Sequence, residues 1–133
     1  MPELEVEEEG ESSAKTTVQS TASGKAVCER LQNDGYFSDA QSVFRFAVCF
    51  ALANEIQADP DYPNSGGGKG FTWSVTGLDP NQVLKLMVTE FSNGERLTSQ
   101  REQYRRIETL GNLGLSEIGR RLEAGSFISE LIN

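Results

Sequence analysis

Side chains suited to catalysis are scarce in this 133-residue chain. It contains no histidine, which is the usual general base near neutral pH. Cys28 and Cys49 are isolated within apolar segments, at a spacing that fits neither a metal site nor a redox pair. The segment from Ser65 to Gly70 resembles a phosphate-binding loop, but Lys69 is followed by glycine instead of Ser or Thr. The sequence therefore predicts no enzymatic activity, no cofactor and no metal site.

Two polar stretches are better suited to binding than to catalysis. Residues 14–21 are rich in β-branched side chains, which predicts a short strand with Thr17 and Gln19 on the face opposite Val18. A second stretch places basic residues near the N-terminus of a later helix. It is either a solvated face, interleaved with Glu102 and Glu108, or a surface that contacts phosphates. The basic residues of this stretch are Arg96, Arg101, Arg105 and Arg106.

An unusually apolar helix organises the N-terminal half. Asp34-Gly35 predicts a tight turn, and Ser38 followed by Gln41 predicts a helix N-cap with a capping box. From about Asp39 to about Gln57, apolar residues would cover most of the helix circumference. In so short a chain, we expect such a helix to form a core shared between two subunits. The residues expected in this dimer core are Phe44, Phe46, Val48 and Phe50.

The order of these elements resembles the ribbon-helix-helix fold of small antitoxin and copy-number repressors. A strand precedes a short helix from Gly24 to Asn33, and the turn Gly35-Tyr36-Phe37-Ser38 leads into Val43-Phe44-Arg45-Phe46-Ala47. Turn and second helix are similar to that family almost position by position, over roughly residues 15–55. The resemblance implies a two-fold dimer whose paired strands enter the DNA major groove.

The same resemblance implies which residues contact DNA. Thr17 and Gln19 would face bases, and Lys15 would lie on the phosphate backbone. Ser38 and the amides after it would approach a phosphate, as helix N-termini can. Outside the resemblance, Arg101 and Arg105 lie one helical turn apart and would flank the ribbon as further phosphate contacts.

The second half predicts a mainly helical extension that follows a Gly- and Pro-rich loop at residues 59–70. Alternation from Phe71 to Thr76 predicts a half-buried strand. Asp79 with Pro80 is expected to begin a helix that ends at Asn93-Gly94.

A second capping box, formed by Ser99 and Glu102, predicts a last helix that extends to about Ala124. Three glycines within it indicate either a break or a face that another helix approaches closely. They are Gly111, Gly114 and Gly119.

A weaker resemblance links the whole arrangement to small accessory proteins of DNA phosphorothioation gene clusters. It is carried by Phe44-Arg45-Phe46-Ala47, the glycine-rich loop, the Trp-containing strand and the stretch from Ile107 to Leu115. This resemblance implies a role in bacterial genome modification or defence.

The net charge of −8 is concentrated at the N-terminus. Residues 1–13 contain six glutamates and no basic residue, which is typical of a disordered acidic tail. Without those glutamates the net charge is −2. No run of eighteen apolar residues and no basic-then-apolar N-terminus occurs, so we expect neither a membrane span nor a secretory signal, and a cytoplasmic location.

These patterns together predict a mainly α protein, with a ribbon-helix-helix-like segment at residues 14–58 and a strand plus helical extension at residues 71–133. The expected function is sequence-specific binding of double-stranded DNA by a homodimer, as a small repressor or an accessory of a DNA-modification system. Because the strand contains one basic residue and phosphate contacts supply much of the affinity for DNA, an alternative remains. In that alternative the core only dimerises, and the chain is a non-catalytic subunit that binds a protein partner through its tail and C-terminal helices.

Overall fold

A computed structural model describes residues 14–58, 70–91 and 95–125. Within these ranges the chain is mainly helical, as predicted, and has one small antiparallel sheet. The acidic tail, most of the Gly- and Pro-rich loop, Asn93 and Gly94 lie outside the described residues; the helix expected to end at Asn93-Gly94 ends earlier, at Glu90. The elements are β1 (Thr17–Gln19), α1 (Ala22–Asn33), α2 (Ala40–Ala53), β2 (Thr72–Ser74), α3 (Val75–Leu78), α4 (Val83–Glu90) and α5 (Gln100–Glu123).

The longest helix, α5, begins at the predicted capping box. The Ser99 hydroxyl accepts the Glu102 N–H at 3.1 Å, and the Glu102 carboxylate accepts the Ser99 N–H in return. The helix then continues for 24 residues without a break. Its buried face contains large apolar side chains at helical spacing, among them Tyr104, Ile107, Leu115, Ile118 and Leu122.

Two glycines of α5 mark the place where α2 packs directly against its backbone. A Cβ atom at Gly111 would lie 2.2 Å from the Phe44 ring, and one at Gly114 would lie 2.3 Å from the Ala47 carbonyl oxygen. Atoms cannot approach so closely, so both positions require glycine in this packing. Of the two interpretations of these glycines, close contact with another helix is the one that the structure shows.

The apolar circumference of α2 is covered within a single chain. Phe44 and Val48 are fully buried, and Phe50 is nearly so. The Phe44 ring lies 5.1 Å from the Trp73 ring, on the side of α2 that faces β2. Phe46 is half-buried, with its ring 6.1 Å from that of Phe50. The burial of these side chains therefore does not require a second subunit, which removes the sequence-based reason for placing a dimer core here.

The strand expected within residues 14–21 is present, but its pairing differs from that of a ribbon-helix-helix dimer. It pairs antiparallel with β2 of the same chain, in a register that sets Val18 opposite Trp73. Val18 is fully buried, whereas Thr17 and Gln19 point away from the core, as predicted. The sequence predicts the β character of each strand. It does not predict that they pair, because they are more than fifty residues apart in the chain.

The start of α2 lies one residue later than predicted. The Asp39 carboxylate, and not the Ser38 hydroxyl, accepts the Ser42 N–H at 2.8 Å, so the capping box of Ser38 and Gln41 is wrong. Ser and Asp cap helices about equally well, so adjacent candidates cannot be ranked by type alone. The helix also ends earlier, at Ala53, because Glu55 adopts a φ of 54°.

Asp79 is not the N-cap residue of α4 as predicted, since that position is taken by Gln82, but its side chain still binds the first turn of the helix. Its carboxylate accepts the N–H groups of Leu84 at 2.9 Å and Lys85 at 3.1 Å, at the beginning of α4. Pro80 lies in the turn before the helix instead of at its first position. The Tyr104 hydroxyl donates to the same carboxylate at 2.9 Å and thereby ties α4 to α5.

Replacement of Gly114 by alanine tests the contact between α2 and α5. Alanine favours helix by about 1 kcal/mol over glycine, but its methyl group would meet the Ala47 carbonyl group. We expect Gly114→Ala to lower the free energy of unfolding by about 1–3 kcal/mol, measured by urea denaturation. Ser116→Ala, at an exposed position of the same helix, is the control and should change stability little. Equal or greater stability of Gly114→Ala would contradict this packing.

Candidate nucleic-acid interface

One edge of β1 pairs with β2, and the other is closed by side chains of α5. The Lys15 N–H donates to Gln100 Oε1 at 2.7 Å, and Gln100 Nε2 donates to the Lys15 carbonyl oxygen at 2.6 Å. Further along the strand, the Gln19 N–H donates to Glu108 Oε2 at 2.8 Å. Side chains of a helix thus bind the backbone groups that a third strand would otherwise bind.

Asn112 completes this edge. Its Oδ1 accepts the Thr21 N–H at 3.0 Å, and its Nδ2 donates to the Gln19 carbonyl oxygen at 3.0 Å. The spacing works because four residues of a helix advance about 6 Å, close to the roughly 6.6 Å covered by two residues of a strand. Residues four apart on α5 can therefore follow alternate residues of β1.

Both edges of β1 are consequently occupied within one chain. On the β2 side, the Ser20 N–H donates to the Phe71 carbonyl oxygen at 2.9 Å, and the Thr16 carbonyl oxygen accepts the Val75 N–H at 3.0 Å. A second copy of β1 could pair here only by displacing these bonds or those to α5. The described arrangement is therefore a ribbon within one chain and differs from the ribbon between two chains that the family resemblance implied.

The outward face of this ribbon presents four hydrogen-bonding side chains. The register sets Thr17 opposite Ser74 and Gln19 opposite Thr72. Three of the four are exposed and Gln19 is half-buried. We call Thr17, Gln19, Thr72 and Ser74 the ribbon face. Thr72 and Ser74 were not among the predicted DNA contacts, although the alternation of Phe71, Trp73 and Val75 already placed them opposite the core.

Lys15 is less available to phosphate than the sequence suggested. Its Nζ lies 3.2 Å from Glu108 Oε1, and its side chain is 19% exposed. Glu108, expected on a solvated helix face, is instead buried, because its carboxylate bridges the Lys15 ammonium group and the Gln19 N–H. A phosphate contact by Lys15 would leave the buried Glu108 carboxylate without its counter-ion, which is costly.

Ser38 lies at a helix N-terminus that already carries a negative charge. It is exposed in the turn between α1 and α2, next to Asp39. The hydrogen bond from the Ser42 N–H lowers the pKa of the Asp39 carboxyl group, which is therefore ionised at neutral pH. A carboxylate at this position uses a backbone donor and repels an incoming phosphate, which opposes the predicted contact at Ser38.

Arg101 and Arg105 are exposed on the first turns of α5, as is Arg96 just before the helix. We call these three residues the arginine surface. Gln100 binds the backbone of Lys15, so the first turn of α5 lies beside the residues that lead into β1. Ser38 lies at the start of a different helix.

The carboxylates nearest the arginine surface have partners of their own. Glu95 forms an ion pair with Arg106. Glu102 accepts the Thr98 N–H at 3.1 Å as part of the α5 cap, and Glu108 pairs with Lys15. These contacts fix three carboxylates near the N-terminus of α5. The excess of positive charge is therefore confined to the arginine surface itself.

A separate apolar surface lies on α4. Val83, Leu86 and Phe91 are 52%, 59% and 65% exposed, respectively. Phe91 also lines a cleft of about 490 Å³, together with Leu52, Ile56 and Leu110. We call Val83, Leu86 and Phe91 the α4 apolar surface. The structure buries Leu84 and Val88 of this helix and leaves Val83 and Leu86 exposed.

Chemically reactive groups are few in the described ranges. No group of three or more His, Cys, Asp or Glu side chains in residues 14–58, 70–91 and 95–125 could hold a metal ion. Burial, with a smaller effect of Glu29, raises the pKa of the Cys28 thiol to about 12, so it is protonated at neutral pH. None of the helices in the described part of the chain combines the length and apolarity needed to cross a membrane.

Asn112→Ala tests whether α5 holds the edge of β1. The change removes the acceptor for the Thr21 N–H and the donor to the Gln19 carbonyl oxygen. We expect faster hydrogen exchange at the Thr21 amide and a loss of about 1–3 kcal/mol of stability, the usual result of leaving buried polar groups unpaired. Leu86→Ala, on the exposed side of α4, is the control. Unchanged exchange at Thr21 would show that the edge does not depend on Asn112.

Comparison with known proteins identifies no relative of this chain. No family model, curated protein or solved structure shows significant similarity to the chain. The ribbon face, the arginine surface and the α4 apolar surface are therefore the features from which a function can be argued.

Proposed function

We propose that the chain binds double-stranded DNA, with the ribbon face in the major groove and the arginine surface on the adjacent phosphates. The observation that carries this proposal is the intrachain ribbon, whose exposed face offers Thr17, Gln19, Thr72 and Ser74. A two-stranded ribbon fits the major groove, where Ser, Thr and Gln side chains can hydrogen-bond to base edges.

The scaffold beneath the ribbon supports this use. Val18 is fully buried between the sheet and the helices, and α5 binds the backbone at Lys15, Gln19 and Thr21. Side chains that project from an anchored backbone lose less conformational freedom on binding. Arg101 and Arg105 then supply charge, since guanidinium groups bind phosphate oxygens in bidentate fashion.

In the proposed mode of DNA binding, a homodimer has a different role from the one that the family resemblance implied. Each chain has its own two-stranded ribbon, so two subunits would place two ribbons on half-sites about one helical turn of DNA apart. The two strands of a dimer would not merge into one shared ribbon. Such a protein would act as a small repressor or as an accessory of a DNA-modification system, the roles that the sequence resemblances implied.

Paired arginine substitutions test the DNA proposal. Each phosphate contact contributes about 0.9 to the slope of log affinity against log salt concentration. We expect Arg101→Gln/Arg105→Gln to weaken binding to a mixed-sequence 30-base-pair duplex and to reduce that slope, measured by fluorescence anisotropy. Arg30→Gln/Arg120→Gln removes equal charge elsewhere, at two exposed positions, and should keep the wild-type slope. Equal losses in both variants, or salt-insensitive binding, would contradict the proposal.

A second candidate function is protein interaction through the α4 apolar surface. Three large apolar side chains, each more than half exposed, lie on or next to one short helix. Val83 and Leu86 are three residues apart and so lie on the same side of α4, and a patch of exposed apolar residues is characteristic of an interaction site. We take a second copy of the chain as the partner to test first, because the homodimer expected from the sequence no longer has a site in α2.

The solution mass of charge variants tests this candidate. We expect the wild-type chain to be a dimer by light scattering and Leu86→Glu to be a monomer, because a carboxylate would be buried at the contact. Tyr36→Glu is the matched control, since Tyr36 is 52% exposed in a different part of the surface. A monomeric wild type, or a dimeric Leu86→Glu, would exclude α4 as the dimer contact.

A further inference from the structure

We propose that the outer edge of β2, the edge that does not face β1, pairs with the same edge of a second copy of the chain. The two strands would run antiparallel about a two-fold axis and form a four-stranded sheet in the order β1-β2-β2-β1. This contact is distinct from the α4 apolar surface, and it does not depend on the proposed DNA-binding function.

The hydrogen bonds between β1 and β2 determine which backbone groups of β2 point outward. The Ser20 N–H donates to the Phe71 carbonyl oxygen at 2.9 Å, so these two residues form a bonded pair. Bonded and non-bonded pairs alternate along an antiparallel ladder. Trp73 therefore directs its backbone groups to β1, whereas Thr72 and Ser74 direct theirs to the outer edge of β2.

These outward groups have no partner in the described part of the chain. No hydrogen bond among residues 14–58, 70–91 and 95–125 uses the Thr72 N–H, the Thr72 carbonyl oxygen or the Ser74 N–H. The Ser74 carbonyl oxygen begins the helical bonding of α3 but has a second lone pair. Both residues are exposed, so the edge is open to a further strand.

The two edges of the ribbon differ in how they are protected. Side chains of α5 bind the backbone along the outer edge of β1, through Gln100, Glu108 and Asn112. Exposed edges are otherwise protected by charged residues or proline. Residues 71–76 read Phe-Thr-Trp-Ser-Val-Thr and contain neither. An uncharged edge of high β propensity is a template for another strand.

The composition of this edge favours its own copy as the partner. Antiparallel pairing about a two-fold axis sets each outward N–H opposite an outward carbonyl oxygen of the same segment. An uncharged segment also brings no like charges together when it pairs with itself. Two cations near its ends are held within the chain, since Lys25 Nζ lies 5.2 Å from the centre of the Phe71 ring and Arg45 Nε donates to the Leu78 carbonyl oxygen at 2.7 Å.

The size of the contact sets its strength. A strand of three residues buries much less than the roughly 800 Å² per partner of a stable complex, so we expect weak, concentration-dependent pairing. Four strands at about 4.8 Å each measure roughly 19 Å across, whereas the major groove is about 12 Å wide. Self-pairing and the proposed insertion of the ribbon into DNA are therefore alternative states.

An NMR concentration series tests the pairing. The full chain carries Leu86→Glu, so that the α4 contact is removed and any remaining association is that of another surface. We expect the backbone amide signals of Thr72 and Ser74 to move progressively up to about 1 mM protein, where weak contacts are populated, whereas that of Ser116 stays constant. In a mixture of isotope-labelled and unlabelled chains, the labelled Thr72 amide should show NOEs to the unlabelled copy.

Two substitutions at Thr72 separate the backbone from the side chain. Thr72→Pro removes the outward N–H but no bond to β1, whereas Thr72→Val keeps that N–H. We expect Thr72→Pro to weaken self-association about tenfold or more, because two hydrogen bonds are lost across the two-fold axis. Thr72→Val should stay within about twofold of the parent chain, since its side-chain change leaves the backbone bonds intact.

The overturning results are equally specific. Thr72 and Ser74 signals that do not change with concentration, or equal association of the proline and valine variants, would overturn self-pairing. Protection of the Trp73 amide from hydrogen exchange checks that Thr72→Pro keeps the ribbon. If that protection is lost, the NOEs between labelled and unlabelled chains with Thr72 intact decide the question, and their absence would overturn the proposal.

Discussion

The direct packing of α5 against α2 is the contact on which the rest of the structure depends. Gly111 and Gly114 let the Phe44 ring and the Ala47 carbonyl group reach the backbone of α5. This close approach covers the apolar side of α2 within one chain. It also fixes the rotation of α5 about its axis, because the glycine face must point at α2, and the adjacent polar face is thereby turned toward β1.

That rotation explains how so short a strand can be held in place. A three-residue strand is marginal in isolation, and β2 satisfies only one edge of β1. The other edge is satisfied by Gln100, Glu108 and Asn112, whose spacing along the helix matches alternate strand residues. The consequence is a ribbon in which β1 is held from both sides, by β2 and by α5, and whose outward polar face can bind a ligand through side chains.

The sequence was informative wherever a pattern is local. The alternation around Val18 and the Ser99 capping box depend on residues close in the chain, and both are found in the structure. The glycines of α5 left two interpretations open, and their contact with Phe44 and Ala47 of α2 decides between them. The Asp39 cap was missed because Ser38 is an equally good candidate by type. The burial of Glu108 and the partner of β1 were missed because each depends on a segment about ninety or fifty residues away. The helical phase of Glu108 places it on the buried side of α5, between Tyr104 and Leu115, but a glutamate is assigned to solvent by its residue type.

In the proposed complex, the ribbon face supplies polar side chains and the arginine surface supplies positive charge. This division of roles would decide how the protein recognises DNA. The ammonium group of Lys15, just before β1, is paired with Glu108, and that of Lys25 lies over the Phe71 ring. In the proposed complex, most of the attraction for phosphate would come from Arg96, Arg101 and Arg105. Non-specific affinity, which depends on phosphate contacts, would then be low. Discrimination by the ribbon face would be correspondingly large, because base contacts would supply a greater share of the binding free energy.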